Sequence, residues 1–277
     1  MLSLIKEMLS YPFLVRTFIV GILVCVCAAL LGVSLVLKRY SMIGDGLSHV
    51  GFGSLAVATA LNWAPMAVAM PVVILTAFFL LRMSENGKLK GDSAVAMLSS
   101  SALAIGVMVM SFSKGMNIDV YNYMFGSILA VTKNDVMISV ALSVVVIILY
   151  IFFYTKIFAV TFDETFAKAT GTKAGLYNML LALLTAVTIV VGMRLMGSLL
   201  ISSLVIFPAL TSMRFFKSFK AVVISSAVVS IVCFVVGITL SFLFSTPAGA
   251  TVVCTNLAAY LLFCIISSAA SSMSPTA

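Results

Sequence analysis

The sequence predicts an all-α integral membrane protein, a polytopic bundle of eight or nine transmembrane helices with one short cytoplasmic helix. Of its 277 residues, 63% are hydrophobic and 9% are charged, and the mean hydropathy is +1.26. Soluble domains are about half apolar and about one quarter charged. Uncharged stretches recur along the chain, each close to the roughly 20 residues with which a helix crosses a bilayer. These observations exclude a soluble globule and favour a single transmembrane domain over residues 1–277.

Long uncharged runs place the crossings in chain order. They cover residues 17–37, 46–81, 93–113, 136–155, 174–193, 195–213 and 221 onward. The run 46–81 is too long for one crossing, and a tryptophan and a proline at 62–65 favour a break at the interface. The last run breaks in a similar way at 245–249, where proline and glycine favour a turn. The pattern therefore predicts eight or nine helices.

The positive charge fits membrane topology rather than nucleic-acid binding. The 16 Lys and Arg residues give a net charge of +8, but they are scattered between apolar runs and form no stripe. With nine crossings and an external N-terminus, most of them fall on inner loops, as expected for cytoplasmic loops. The crossing 195–213 is the weakest because it contains Pro208. We expect the tail at about 272–277 to be frayed.

An ionisable pair lies near the start of the second hydrophobic stretch. Asp45 and His49, the only histidine, belong to the run Gly-Asp-Gly-Leu-Ser-His that begins at Gly44. On a helix, residues four apart share one face, with Cβ atoms about 5 to 6 Å apart. A carboxylate oxygen and an imidazole nitrogen suit zinc, manganese or iron. Since ionisable groups inside a membrane face a cavity or a partner, the pair predicts a divalent metal site.

Alternatives to this site stay open from the residues alone. Asp45 could instead cap the second helix, while His49 makes a hydrogen bond inside the bundle. The metal interpretation also needs further ligands, because a tetrahedral shell takes about four. A twofold dimer would supply them as an Asp2His2 cage between subunits. Waters or carbonyl oxygens could complete the shell as well.

A short helix at about 160–171 is predicted between two crossings, at the cytoplasmic surface. Thr161 and Glu164 have the spacing of a capping box, and Gly171 fits the C-terminal stop. Phe162 and Phe166 belong to one face of this helix.

That face could dock on another protein or rest on membrane lipid. The neighbouring Asp163 and Glu164 argue against anionic lipid. The chain contains no G-x-x-x-x-G-K-[ST] motif, so any ATP drive must come from a separate subunit.

These motifs resemble the ABC-3 family of metal-transporter permeases, and the resemblance runs nearly end to end. Its strongest piece is the run from Gly44 to His49, which is similar to the family's G-D-A-L-S-H element with Gly46 in place of alanine. Further similar segments lie at 90–92, 117–121, 125–129, 162–167, 196–209 and 246–251. The last of these departs from the family's usual P-S-G element at Ala248.

The resemblance implies a homodimeric permease in the cytoplasmic membrane of a bacterium, with two cytoplasmic ABC ATPase subunits and an extracellular metal-binding protein. It implies that Asp45 and His49 contact the transported ion, which would be zinc, manganese or iron. No other cofactor and no nucleic acid is expected. The segment from Phe162 to Thr170 would be the coupling helix. Its residues toward the ATPase would be Phe162, Asp163, Glu164, Phe166 and Ala167.

An outer loop after the fourth helical run contains Asn117, Asp119 and Tyr121. One interpretation is an outer entrance, where these side chains contact the metal or its binding protein. The other is an ordinary loop with turn and capping groups, which we favour for Asn117 and Tyr121.

The function predicted from the sequence is alternating-access transport without bond chemistry in this chain. One rival is an ion-coupled secondary transporter or channel that works without ATPase subunits. The other is an intramembrane hydrolase that uses Ser48 and His49. Adjacent helical residues point in different directions, which disfavours such a dyad.

Overall fold

The computed structural model describes residues 10–85, 91–112, 124–126 and 133–273, and the regular elements in these ranges are helices. The helices with both ends described are α1 (Pro12–Leu37), α2 (Ser41–Ala60), α3 (Pro65–Glu85), α4 (Gly91–Phe112), α5 (Lys133–Phe152), α6 (Tyr154–Phe162), α7 (Glu164–Ala169), α8 (Ala174–Met196), α9 (Ser198–Met213), α10 (Phe219–Phe244) and α11 (Ala248–Met273). The all-α prediction is confirmed.

The long helices run alternately between two ends of the bundle. We call the end that holds the α1–α2 turn and the α6–α7 segment the inner end, since Lys38 bonds to Glu164 across it. The opposite end, called the outer end, holds the ion pair between Arg194 of α8 and Asp135 of α5. The two short helices α6 and α7 therefore lie at the inner end, between α5 and α8.

Cations are concentrated at the inner end of the described chain. The alternation of the helices puts Arg16, Lys133 and Arg194 toward the outer end. It puts the other described Lys and Arg at the inner end, namely Lys38, Arg39, Arg82, Lys156, Lys168, Lys173, Arg214, Lys217 and Lys220. An excess of Lys and Arg is typical of cytoplasmic loops. We therefore take the inner end as the cytoplasmic one.

Seven described helices are long and apolar enough to cross a membrane, which is fewer than the expected eight or nine. They are α1, α3, α4, α5, α8, α10 and α11. Two helices of the bundle fall outside this set. The polar and small residues of α2 reduce its hydropathy, and α9 has only 16 residues. Because most side chains of both helices are buried against protein, they do not need the apolar surface that lipid contact requires.

The core is built around α1 and α8. In each, 67% of the most apolar window is buried inside the bundle, against 17% for α4 and α11. The main hydrophobic cluster joins side chains of α1, α2, α3, α8 and α9, with Leu47, Phe52 and Leu204 fully buried. The helix that carries the predicted metal site therefore packs into the centre of the protein.

Both predicted breaks in the long runs are confirmed. After α2 ends, Asn62 takes a left-handed φ of 54° and Trp63 is 58% exposed, and α3 then begins at Pro65. Proline fits the first turn of a helix because the amide that it lacks has no partner there. After α10, Ser245 takes a φ of 51° and α11 begins at Ala248.

Three glycines bring separate segments into backbone contact at the outer end. Gly197, between α8 and α9, has a φ of +83°, and Gly126 has a φ of +80°. A Cβ atom on Gly197 would collide with the backbone of Gly126, and one on Gly249 would collide with the carbonyl oxygen of Phe125. We call this contact of Gly126, Gly197 and Gly249 the glycine corner. It leaves no room for a side chain.

Candidate metal site and coupling segment

Asp45 and His49 both lie within α2, one turn apart. The helix begins at Ser41, earlier than the run from residue 46 suggested, so Asp45 lies in its second turn. The alternative role of Asp45 as a helix cap is therefore wrong, because the N-cap position belongs to Tyr40. At about 1.5 Å per residue, Asp45 and His49 lie about 6 Å and about 12 Å from the start of the helix. The pair thus belongs to the inner half of α2.

The two side chains face each other on a partly open surface. His49 Nε2 lies 3.7 Å from Asp45 Oδ2, which is within ion-pair range but too long for a hydrogen bond. The His49 side chain is 24% exposed and that of Asp45 is 37% exposed. A gap of this size between a nitrogen and an oxygen leaves both atoms able to turn toward a common ion.

The second ring nitrogen of His49 has no hydrogen-bond partner in the described part of the chain. The Nδ1 atom is buried and makes no hydrogen bond to any described residue. A buried polar atom without a partner costs free energy comparable to a lost hydrogen bond, on the order of 1 to 3 kcal/mol. Such atoms are uncommon in folded proteins and mark sites where a ligand, ion or water is expected.

Close packing fixes α2 behind this pair. The hydroxyl of Ser48, which is fully buried, donates to the carbonyl oxygen of Asp45 at 2.7 Å and lies 2.9 Å from the hydroxyl of Ser202 on α9. A Cβ on Gly46 would lie 2.6 Å from Val95 Cγ1 of α4. Glycine here allows the helices to approach closely, as in other membrane bundles. The site is thus mounted on a helix with little freedom to move alone.

This geometry disfavours the hydrolase alternative. Ser48 is engaged by α2 and α9, and none of its hydrogen bonds reaches His49. A nucleophilic serine needs its base within about 2.6 to 3.2 Å. The described residues also contain no group of three or more His, Cys, Asp or Glu side chains that could hold a metal. Within the described ranges, one copy of the chain therefore places two candidate ligands at this point, Asp45 and His49.

The predicted helix at 160–171 is in fact two helices. α6 ends at Phe162 and α7 begins at Glu164, because Asp163 between them is extended, with φ −146° and ψ 96°. The N-cap of α7 is Asp163, whose carboxylate accepts from the Phe166 amide at 2.9 Å. The capping box of Thr161 and Glu164 is therefore wrong, and the Thr161 hydroxyl is buried without a hydrogen bond. Asp163 caps more strongly because its side chain lies at the point where the chain leaves α6.

The C-terminal stop of this segment is confirmed. α7 ends at Ala169, and Gly171 has a φ of +81°. The Gly171 amide donates to Lys168 O at 3.0 Å, and the Thr172 amide donates to Ala167 O at 2.9 Å. Glycine favours such helix ends because its left-handed conformation meets no Cβ penalty.

The residues predicted to face an ATPase divide into two groups. Phe162 and Phe166 are 60% and 65% exposed, so their rings are open at the inner end. Ala167 is buried, in a small cluster with Val160 and Ala174. Phe162, Phe166 and the capping residue Asp163 therefore have side chains available for a partner, whereas Ala167 does not.

Glu164 points into the protein. Its Oε2 accepts from Lys38 at 3.2 Å and from Asn178 Nδ2 at 3.1 Å, and its Oε1 accepts from Lys168 at 2.8 Å. Burial alone would raise the pKa of Glu164, but the hydrogen bonds of Lys168 and Asn178 and the charge of Lys38 outweigh it and lower the pKa to about 2. Glu164 is therefore ionised throughout the physiological range.

Sequence reasoning missed three residues of this arrangement. Lys38 falls among the scattered loop cations, Asn178 lies within an apolar run, and Ser202 is one of several serines. A single amide in an apolar run was the available signal, since such a group needs a partner when it is buried. The outer-entrance residues Asn117, Asp119 and Tyr121 lie outside the described residues, so that proposal remains a prediction.

Together, the fold and the site define a multi-pass membrane protein with a facing carboxylate and imidazole on a buried helix, an arrangement typical of the transport class. Comparison with known families identifies it further. The ABC 3 transport family model matches residues 10–267, and the chain belongs to that family. It is therefore a protein of the bacterial plasma membrane.

Individual relatives match over nearly the whole chain. The manganese import system permease protein ScaB of Streptococcus gordonii is 28% identical over 93% of this chain and 92% of its own length. The zinc uptake membrane protein ZnuB of Buchnera aphidicola is 30% identical over 85% of this chain and 90% of its own length. The solved structure of PsaBC from Streptococcus pneumoniae in complex with Fab superposes with a TM-score of 0.84 at 28% identity, covering 94% of each chain.

Proposed function

We propose that this chain is the permease subunit of an ABC importer that carries a divalent transition metal into the cell by alternating access. The observation that carries the proposal is the pair Asp45 and His49, whose carboxylate oxygen and Nε2 atom face each other at 3.7 Å on a helix held in the bundle core. A carboxylate and an imidazole match the preferences of manganese, iron and zinc. The metal is the cargo, and the pair would bind it transiently on its way through.

The names of the relatives support the cargo class. One relative is named for manganese import and another for zinc uptake. Oxygen and imidazole ligands serve both metals, so the pair itself does not select between them. We propose manganese or zinc as the cargo, with iron as a third member of the same chemical class.

A homodimer would complete the coordination shell. One chain supplies two ligands from Asp45 and His49, and their exposed fractions show that the surface around them is open. A second copy related by a twofold axis would add an equivalent pair. The stoichiometry of bound manganese tests this point, because a shared site holds one ion per two chains. One ion per chain would contradict it.

The proposed partners are two cytoplasmic ABC ATPases and an extracellular metal-binding protein. The exposed rings of Phe162 and Phe166, at the inner end, are suited to dock in an ATPase groove. The binding protein would deliver the ion at the outer end, where Asn117, Asp119 and Tyr121 are proposed as an entrance. In this arrangement the ATP chemistry belongs to the partner subunits.

Metal accumulation in cells tests the proposed function. We expect Asp45→Ala and His49→Ala to reduce accumulation of manganese or zinc at least tenfold, with the membrane level of the protein unchanged. Met42→Ala is the matched control, because Met42 is exposed on the same helix. It should accumulate metal within about twofold of the unmodified protein. Wild-type accumulation by both the Asp45 and His49 variants would remove the pair from the mechanism.

A further inference from the structure

A buried polar cluster joins the coupling segment to the helix that holds the metal pair. Lys38, at the C-cap of α1, has a side chain only 7% exposed. Its ammonium donates to Glu164 Oε2 of α7 at 3.2 Å, to the Val160 carbonyl of α6 at 3.2 Å and to Asn178 Oδ1 of α8. Asn178, which is 2% exposed, in turn donates to Glu164 Oε2. One ammonium thus contacts three other helices.

The link from Lys38 to α2 is short and stiff. Only residues 38–40 separate the end of α1 from the start of α2. The Tyr40 amide donates to Leu35 O at 2.8 Å and the Arg39 amide donates to Val36 O at 3.0 Å, with Arg39 at a left-handed φ of 61°. These two bonds form a Schellman turn. Because these hydrogen bonds fix the backbone of the short connection, we expect a displacement of Lys38 to move the first turn of α2 as well.

The metal pair lies directly beyond that turn. Asp45 is seven residues after Lys38 in the chain, inside the second turn of α2. An α-helix of this length moves as a unit, since its backbone hydrogen bonds join successive turns. A shift of α7 at the membrane surface therefore has a continuous route of bonded groups to Asp45.

We propose that Lys38, held by Glu164 and Asn178, is the positioning residue that couples movement of α7 to the metal-bearing helix α2. The proposal rests on the importer function proposed above. Glu164 thereby acts through Oε2, which accepts hydrogen bonds from Lys38 and Asn178 inside the protein, rather than through a contact with a partner subunit. Lys38 and Asn178 are not part of the proposed metal shell of Asp45 and His49, so we expect their effect to be on coupling and not on metal binding.

The same carboxylate provides a matched control. Glu164 Oε1 bonds to Lys168 at 2.8 Å, one turn along α7, and the Lys168 side chain is 61% exposed. Lys168→Met removes a positive charge from Glu164 but leaves the link to α1 and α8 intact. Lys38→Met removes the same charge from the other oxygen and breaks the link.

The first measurement compares ATP hydrolysed with metal moved, using the transporter complex in proteoliposomes with Mn²⁺ and Zn²⁺ tested separately. We expect Lys38→Met and Asn178→Leu to keep at least half of the wild-type ATPase rate while metal transported per ATP decreases at least fivefold. Lys168→Met should keep the wild-type ratio. A wild-type ratio in Lys38→Met would overturn the proposal.

A second measurement does not depend on the metal. Met42, in the first turn of α2, is 47% exposed, so a cysteine placed there reports movement of that turn. In a background with Cys254→Ser and Cys264→Ser, we expect ATP and vanadate to change its maleimide labelling rate at least threefold. Lys38→Met should abolish this change, and Lys168→Met should preserve it. Retention of the change in Lys38→Met would contradict the coupling role.

The two arms separate this inference from the proposed function. Asp45→Ala should keep the nucleotide-dependent labelling change but lose metal transport. Normal transport by Asp45→Ala would refute the proposed metal-binding role of Asp45. The labelling measurement would still test the coupling role of Lys38. Should Lys38→Met fail to assemble, Glu164→Gln, which preserves the shape of the side chain, gives the same readout.

Discussion

Asp45 of the metal pair lies seven residues after Lys38 of the polar cluster, but the two sites differ in how their hydrogen-bonding groups are satisfied. In the cluster, the Lys38 ammonium donates to oxygens on three other helices, and both oxygens of Glu164 accept hydrogen bonds. In the metal pair, the two side chains stand 3.7 Å apart and His49 Nδ1 has no described partner. The cluster is satisfied by the protein itself, whereas the pair retains unused bonding capacity.

This difference separates a polar cluster whose hydrogen bonds are made within the protein from a pair that retains the capacity to take a ligand. A satisfied buried network rigidifies the structure around it. A group with unmet bonding capacity can accept and release a ligand, because no internal bond has to break first. Variants of each region should therefore differ in what they damage: stability and coupling in the cluster, and binding of the transported metal in the pair.

The largest effect on stability is expected from Lys38→Met. It leaves the buried Asn178 Oδ1 without its ammonium donor and removes one charge from Glu164. We expect a loss of about 2 to 3 kcal/mol, the range for hydrogen bonds to charged groups. Thermal unfolding of the purified protein in detergent measures this as a lower Tm. Lys168→Met, at an exposed ion pair, should change the Tm little.

A smaller loss is expected from Ser48→Ala. The substitution removes the hydroxyl contact between α2 and α9, worth about 1 kcal/mol. Ser202 keeps its own bond to the Ser198 carbonyl at 3.0 Å, so no buried group is left without a partner. The same unfolding measurement should give a decrease between those of Lys38→Met and Lys168→Met. A decrease as large as that of Lys38→Met would mean that Ser48 belongs to a larger network.

Asp45→Asn should change the stability of the metal-free protein least among these core-helix variants, by about 0 to 1 kcal/mol. The Asp45 carboxylate is 37% exposed and makes a long ion pair, and such pairs contribute little. Added Mn²⁺ should raise the Tm of the unmodified protein, because a ligand that binds only the folded state stabilises it. That increase should be absent in Asp45→Asn. An equal increase in both proteins would place the ion elsewhere.

No change with pH is expected from the cluster in the ordinary range. The pKa of Glu164 is lowered from 4.5 to about 2, so its ionised form stabilises the fold above pH 4.5, and this contribution is lost only as the pH falls toward 2. The Tm difference between the unmodified protein and Glu164→Gln should therefore be constant from about pH 5.5 to 8. It should shrink below pH 4.5. A difference that varies between pH 6 and 8 would point to another titrating group.

Hydropathy and turn chemistry were sufficient to predict most of the fold. The break at residues 62–65 followed from tryptophan and proline, the break at 245–249 followed from proline and glycine, and both are present. The number of crossings was too high by the criterion of length and hydropathy, because α2 and α9 are buried inside the bundle. The sequence of a helix that is surrounded by protein is constrained by packing against neighbouring helices and not by the high hydropathy that lipid contact requires.

The proximity of Asp45 and His49 was predictable because their spacing is local, while metal binding by the pair stays a prediction. Asp45 and His49 are four residues apart, and helical geometry alone puts them on one face. The cluster was not predictable, since Lys38 and Asn178 are 140 residues apart and meet only through the packing of α1 and α8. The predicted N-cap of α7, Thr161, was wrong by two residues. Thr161 and Asp163 both suit an N-cap, and only the extended backbone at Asp163 decides between them.

The glycine corner has a practical consequence for protein engineering. The atoms that would obstruct a methyl group at Gly126, Gly197 or Gly249 are mainly backbone atoms, which cannot rotate away as a side chain can. Libraries that aim to retune this permease should therefore hold these three codons constant. Diversity is better directed to the open face of α2, where new side chains meet solvent-accessible space instead of a neighbouring main chain.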